Sequence, residues 1–401
     1  MSGPTWISPW SHEGGSETAS AAFTAAFDGD PQGVFSAPGR VNLIGEHTDY
    51  NGGLCLPIAL QHRTFVALRA REDEQVNLVS ERESRPWSAA LTDIAPGAVT
   101  GWGSYVAGVA WALREEGQQV SGFDAAVASA VPYGAGLSSS AALECAVAVA
   151  LAEFAGGQWS GPDPATDAGR AWLADICVRA ENEIAGAPTG GMDQAAALRG
   201  TAGHALLLDS RSGATRHIPF DLAAADLELL VIDTRAAHAL VDGQYAERRE
   251  TCAAAARTLG VRTLREIDPA ALDGALERLD SDVARARVRH VVGEIARVEE
   301  FVALLEAGRL DQLGPVMDAS HTSLRDDYEV SAPQLDTAVE AARRAGALGA
   351  RMTGGGFGGS AIALIPAGTG DQVATAVAAA FGRAGHREPV FLRAEAGPAA
   401  A

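Results

Sequence analysis

Hydrophobic and polar positions along this 401-residue chain switch repeatedly between helical and strand periods. Residues 1–30 place Phe23 and Phe27 four apart, on one helix face, and predict an amphipathic lead-in helix. Residues 34–37 read as a strand, and 56–80 as a strand-like stretch turned by a charged hairpin at 71–74. A helix opens at Trp102. The apolar run 125–131 predicts a short strand, and the alanine- and valine-rich run 141–154 a helix that stops at Gly156 and Gly157. After a turn-rich break at 157–163 a helix spans 164–184, a strand 204–209, and a turn 211–216. A boundary is expected around 219–221, followed by a buried strand at 227–234, a helix carrying Tyr245, a helical region at 270–310 and a strand at 361–365.

The densest signal lies between the strand at 125–131 and the helix after it. Residues 132–141 read P-Y-G-A-G-L-S-S-S-A. Gly134 and Gly136 allow a tight turn and close approach to a ligand. The first N–H groups of a helix lack intrahelical partners and carry partial positive charge, so a strand, a glycine loop and a helix start together make a phosphate site. Ser138, Ser139 and Ser140 sit where N-cap residues belong; a serine cap after a glycine turn is the plainer reading of the same residues.

A second dense stretch, residues 37–53, packs Arg40, Asn42, Glu46, His47 and Asp49 between glycines. Paired carboxylates accept hydrogen bonds from neighbouring hydroxyls and suit a polyhydroxyl ligand; a solvated surface loop is the alternative. Residues 354–359 contain G-x-G-x-x-G, but a strand follows where a dinucleotide fingerprint needs a helix, so a nicotinamide site is rejected.

P-x-G-A-G-L-S-S-S-A resembles the phosphate-binding loop of the GHMP kinases, and G-R-V-N-L-I-G-E-H-T-D-Y-N-G-G at 39–53 is similar to the galactokinase signature within them. The W-x-x-Y-V-x-G of residues 102–108 also resembles that family, although Trp102 and Tyr105 at i, i+3 spacing read more readily as helix core and are not counted among the site residues. So do A-E-x-x-x-A-G-x-P-x-G-x-M-D-Q at 180–194, Y-x-x-R-R at 245–249, S-H-x-S-L-R-D-D-Y-x-V-S at 320–331, and the last glycine motif at 350–360. The resemblance implies an α+β, two-domain GHMP kinase fold with its active site in the cleft between an N-terminal domain (1–218) and a C-terminal domain (219–401). It implies ATP-dependent phosphorylation of the anomeric hydroxyl of galactose, with Asp193 and Arg40 catalytic. Sugar contacts would come from Glu46, His47, Thr48, Asp49, Gly190 and Tyr245. Residues Gly134, Ala135, Gly136, Leu137, Ser138, Ser139 and Ser140 would bind ATP, and Ser140 with Glu181 would hold Mg²⁺. Gly191 departs from the family pattern, which has Ile or Val there. The 320–331 segment has no readable role of its own. A kinase for N-acetylgalactosamine or arabinose fits the same motifs. A non-catalytic galactose and ATP sensor is disfavoured by the complete S-S-S-A, and a mevalonate-type kinase by E-H-T-D-Y.

Composition narrows the chemistry. A hydrophobic content of 47% supports a substantial core. The net charge of −20 opposes binding to nucleic acid. No lysine occurs, so no Walker lysine, Schiff base or lysine base is available. Phosphate handling then falls to helix N-termini, arginine and a metal. Cys55, Cys145, Cys177 and Cys252 form no C-x-x-C pair and read as buried thiols. No uncharged apolar run of membrane length and no secretory leader are present, so a cytoplasmic monomer without membrane contact is expected.

Overall fold

The computed structural model describes residues 3–236 and 241–401. The chain opens on strand β1 (Thr5–Trp6) rather than helix, and α1 (His12–Ala26) begins only after Ser11, whose hydroxyl accepts from Gly14 N–H. Then come β2 (Gly33–Asn42), β3 (Leu54–Cys55), β4 (Pro57–Ala70), β5 (Gln75–Ser80) and β6 (Trp87–Ala90). They are followed by α2 (Gly103–Glu115), β7 (Phe123–Ser129), α3 (Ser139–Ala155), α4 (Asp167–Arg179), α5 (Met192–Arg199), β8 (His204–Asp209) and β9 (Ala214–Pro219). A five-stranded sheet runs β2-β4-β7-β5-β6, and β3-β8-β9 form a smaller one. In the first sheet β5 and β7 pair in parallel and the other neighbours antiparallel.

The second half comprises β10 (Leu227–Asp233), α6 (Val241–Leu259), α7 (Leu272–Glu277), α8 (Asp282–Glu306), α9 (Leu313–Asp326), α10 (Pro333–Arg344), β11 (Gly349–Thr353), β12 (Ser360–Pro366), α11 (Gly370–Ala384) and β13 (Val390–Ala394). Its sheet runs β1-β13-β10-β12-β11. The two chain ends therefore cross over. β1 joins the second-half sheet beside β13, while residues 398–401 lie on the first half, where Ala401 exchanges backbone hydrogen bonds with Ser36 and Arg63 donates to Pro398 and Ala399 carbonyls.

Several expectations shift. The 164–184 helix starts at Asp167 behind a Thr166 cap and passes into a π-helical turn, Ala180–Ala185. The turn at 211–216 is tighter than predicted, because β9 already begins at Ala214. The region 270–310 is broken between α7 and α8, where Ser281 caps a new start. Helix α5 carries no strong apolar stripe and was not anticipated.

Helix α3 is apolar all round, so it belongs in the interior. By length and composition, residues Ser139–Gln158 could cross a membrane, but 67% of that stretch is buried inside the fold. It packs on β2, β4, α2, α4 and α5. This fixes the N-terminus of α3 at the meeting point of the two halves.

Candidate active site

Arg40 is aimed by a local irregularity. The β2–β4 register slips between Pro38 and Arg40, a bulge that redirects the strand. Gly39 makes the approach possible, since a Cβ there would stand 2.6 Å from Leu137 O. Arg40 N–H donates to Leu137 O at 3.1 Å, and one guanidinium nitrogen to Gly136 O at 2.6 Å. The rest of the fork meets Asp193 in two parallel bonds, Nε to Oδ1 at 2.8 Å and Nη2 to Oδ2 at 3.0 Å.

The loop that holds this pair is strained in a useful way. Ser138 is the residue before α3, yet it does not cap the helix. It adopts φ 58°, and its hydroxyl donates to Asp193 Oδ2 at 2.5 Å. The expected serine N-cap is thus replaced by a bond to the carboxylate, at the cost of a left-handed backbone on a residue with a Cβ. The carbonyls of Ala135, Gly136 and Leu137 are engaged by Ser360 Oγ, Arg40 Nη1 and Arg40 N–H. The N–H groups of residues 136–140 have no backbone acceptor among the described residues. They form, with the dipole of α3, an anion cradle beside Asp193. The glycine motif after β11 closes its far side, with a Cβ on Gly354 only 2.9 Å from Gly136 O.

On the other side of Asp193 lies the 39–53 segment. Asp49 is half-buried, and its carboxyl is pushed up to about 6 by burial and by the nearby Asp193 charge. Gly190 lies flat against it; a Cβ at 190 would fall 2.0 Å from Asp49 Oδ2. Tyr245 ties the group together. Its ring centroid is 5.5 Å from that of His47 and 5.4 Å from that of Tyr50, and the charges of Asp49 and Asp193 both raise its hydroxyl above the ordinary range, after burial itself. His47 adopts φ 61° and bonds Tyr50 OH through Nδ1 at 2.8 Å. Burial, with His290 nearby, lowers His47 to about 3, so its ring is neutral, and its buried Nε2 has no hydrogen-bond partner in the protein. Thr48 faces inward, its hydroxyl against the Gly45 and Leu54 carbonyls. Glu46 is buried. Its Oε1 accepts from Gly354 N–H at 2.8 Å and Thr353 Oγ1 at 3.2 Å, and burial raises its carboxyl against the opposing effects of Arg351 and Arg40.

The 320–331 segment proves to be the support of this wall. Ser320 Oγ and Gly45 N–H both donate to Glu294, and Tyr328 OH meets Tyr50 OH at 2.8 Å. Ser323 contacts His290, whose Nε2 lies 3.2 Å from Glu46 O. Burial alone would raise Glu294, but Arg297 and Arg351 outweigh it and hold the carboxyl at about 2. Arg351 is fully buried between Glu46 (3.6 Å) and Glu294 (3.8 Å) and donates to the Asn42 and Leu43 carbonyls.

Ser140 faces Glu181, which sits in the π-helical turn after α4, and its hydroxyl favours the ionised carboxylate. Burial and the Asp193 charge push Glu181 up to about 7. Gln194 Nε2 bridges Glu181 (2.6 Å) and the fully buried Glu144 (3.2 Å), while Glu144 Oε1 and Gln194 Oε1 lack partners. Glu144 and Gln194 had no assigned role in the sequence; Glu144 showed only as a charge in an apolar run, and Gln194 only as the last letter of the M-D-Q motif. Beside the loop opens a cavity of about 930 Å³, lined by Trp102, Tyr105, Tyr133, Gly134, Ser139 and Ser140. Trp102 and Tyr105, readable as core, therefore line this cavity as well.

Comparison with known proteins agrees with this geometry. The galactokinase galactose-binding signature matches residues 21–70, the GHMP kinase N-terminal domain 104–201 and the GHMP kinase C-terminal domain 301–383. A galactokinase of Streptomyces coelicolor is 49% identical over 94% of this chain and 96% of its own length. The chain belongs to the galactokinase family. A galactokinase of Mycobacterium tuberculosis is 44% identical over 92% of this chain and 98% of its own. Lactococcus lactis galactokinase, solved with galactose, superposes with a TM-score of 0.88 at 32% identity, covering 95% of this chain and 98% of that one. A mevalonate kinase at 16% identity and TM-score 0.62 shares the GHMP fold. The family accounts for the mixed α+β architecture of two GHMP modules.

Proposed function

We propose that this protein is an ATP-dependent galactokinase that phosphorylates the anomeric hydroxyl of α-D-galactose. The observation that carries the reading is the Arg40–Asp193 pair, which lies between an anion cradle at Gly136 and Ser138 and a carboxylate-lined pocket at Asp49. The boundary we place between residues 218 and 219 falls at the last residues of β9, just before the connection to β10.

Phosphoryl transfer asks for positioning and for stabilisation of spread negative charge. The cradle N–H groups and the α3 dipole hold phosphate oxygens. Asp193 receives the proton of the attacking hydroxyl, with Arg40 and Ser138 fixing the orientation of its two oxygens. Arg40 also faces charge developing on the transferring group. Asp49 accepts from sugar hydroxyls, with Glu46 behind it; Gly190 leaves room, and Tyr245 and His47 pack on the sugar face. The orphaned His47 Nε2 gains a hydroxyl partner there. Thr48 shapes the loop from inside.

Ser140 and Glu181 suit Mg²⁺, a hard cation that takes few protein oxygens and completes its shell with phosphate and water. The raised Glu181 carboxyl and the partnerless Glu144 and Gln194 oxygens mark surplus negative character that a cation relieves. Bound there, Mg²⁺ supplies charge neutralisation along the polyphosphate. A cytoplasmic monomer is our reading of the whole, and sedimentation tests the oligomeric part.

The test is sugar-dependent ADP release with Mg-ATP across galactose, glucose, N-acetylgalactosamine, arabinose and mevalonate. Turnover on galactose above the rest is expected. Faster turnover on another sugar moves the assignment to a sister kinase. No turnover, with galactose still raising the melting temperature, supports a sensor. Asp193→Asn should abolish turnover while ATP still binds; activity within a few-fold of the parent removes Asp193 from the role of base.

A further inference from the structure

Nearly every arginine here is engaged. The chain has 31 basic side chains besides histidine, all arginine, against 51 acids. Among the described residues, only Arg85, Arg211, Arg235, Arg249, Arg383 and Arg387 make no side-chain hydrogen bond or ion pair. Two of these six, Arg235 and Arg387, line the same 930 Å³ cavity as Gly134, Ser139 and Ser140. Acids outnumber bases and most arginines are satisfied, so two guanidinium groups at one rim with no side-chain partner among the described residues stand out.

The topology brings them together. β10 and β13 are antiparallel neighbours, with Asp233 in register with Val390. Arg235 lies just past the end of β10 and Arg387 just before the start of β13, so both leave the second-half sheet at the same end of its strands. Arg235 is held there in a left-handed conformation, φ 52°. Its N–H donates to Asp233 Oδ1 at 2.8 Å, and the preceding Thr234 is anchored through Oγ1 to Gly359 O at 2.6 Å. Gly359 is the last glycine of the motif that closes the phosphate loop, so the turn bearing Arg235 and the anion cradle are braced by the same segment.

We propose that Arg235, assisted by Arg387, binds the polyphosphate of the nucleotide from the second-half side of the cleft, opposite the α3 N-terminus. The assignment rests on the proposed ATP-dependent reaction, with the cavity beside the anion cradle taken as the nucleotide's site, and adds the side chains that supply positive charge in a chain without lysine. A guanidinium suits this position because its fork can engage two phosphate oxygens at once.

The test compares Arg235→Gln, Arg387→Gln and the double variant with the parent by calorimetric titration of ADP and of adenosine, with and without galactose. Arg235→Gln should weaken ADP about five- to twentyfold, the range for a charged hydrogen bond discounted for an exposed site. The double variant should weaken it further. Adenosine affinity, galactose affinity and melting temperature should stay at parental values, and Arg235→Lys should recover part of the loss by restoring the point charge. ADP binding within twofold of the parent in the double variant overturns the proposal. So does an equal loss for ADP and adenosine, which would assign the residues to the base or to the fold. A parent protein that binds neither nucleotide refutes the nucleotide reading itself, an outcome distinct from a change seen only in the variants.

Discussion

Gly190→Ala isolates the contact between Asp49, in the proposed sugar pocket, and the loop that carries Asp193. Gly190 lies outside the left-handed region, so alanine fits its backbone. The added Cβ would fall 2.0 Å from Asp49 Oδ2 and 2.3 Å from Cγ. That is about 1.5 Å short of ordinary contact, so the carboxylate must rotate away. Asp49 is half-buried at the cleft, which leaves it somewhere to go, and the fold should lose no more than about 1 kcal/mol. Function should lose more. A carboxylate swung off its position forfeits at least one charge-assisted bond to a sugar hydroxyl, roughly 1.5–3 kcal/mol, or about ten- to a hundredfold in kcat/KM for galactose. The KM for ATP should move less than about twofold, because the anion cradle is untouched. Steady-state kinetics on Gly190→Ala, Asp49→Asn and the double variant decides the matter. If the alanine acts through Asp49, the double variant should be no worse than the poorer single one. Independent, additive losses would refute the reasoning, and so would a parental kcat/KM in Gly190→Ala.

The remaining predictions concern the buried charges and the pH response. Arg351→Met should destabilise by about 3–5 kcal/mol, because Glu46 and Glu294 would lose the guanidinium between them while staying buried. Urea unfolding at unchanged m-value reads this out, and a loss under about 1 kcal/mol would show that the two carboxylates do not depend on it. For pH, Asp49 is raised to about 6, so it is ionised above that value and takes up a proton as pH falls through it. A protonated Asp49 accepts poorly, so kcat/KM for galactose at saturating Mg-ATP should bend downward below about pH 6, and Asp49→Asn should flatten the bend. A profile flat from pH 7.5 to 5 in the parent would contradict that role.

The parts of this fold legible in the sequence are those whose signal is local. The strand, glycine loop and helix of 125–154 appear because a single apolar run, two glycines and three serines lie side by side in the chain. Where tertiary context decides, local reading errs. β1 is two residues long and exists because β13 offers it an edge, so nothing near Thr5 could announce it. The π-helical turn at Ala180–Ala185 carries Glu181, and π-turns of this kind recur at functional sites without a propensity signal in the sequence. Ser138 looked like a cap since serine before a helix usually is one, and only the position of Asp193, 55 residues on, shows why its hydroxyl goes elsewhere.

The candidate site divides along the same line. Residues that would touch substrate cluster in short motifs, because each motif is one loop. The residues that hold those loops in place do not cluster. Gly45 N–H depends on Glu294, Glu294 on Ser320 and Arg297, and Glu46 on Arg351 and Gly354, so one wall of the candidate sugar pocket draws on four separate stretches of the chain. Each of these reads alone as an ordinary helix-surface acid, a serine or an arginine. Their burial is what changes their meaning: an exposed Glu–Arg pair contributes little, whereas Arg351 and Glu294, both fully buried, are costly unless every partner is present. A pocket wall built this way is rigid for the same reason that it is hard to read. It also explains why the strained residues His47 and Ser138 can be held at positive φ. The surrounding network determines the position of the loop more tightly than the loop's own backbone preference resists it.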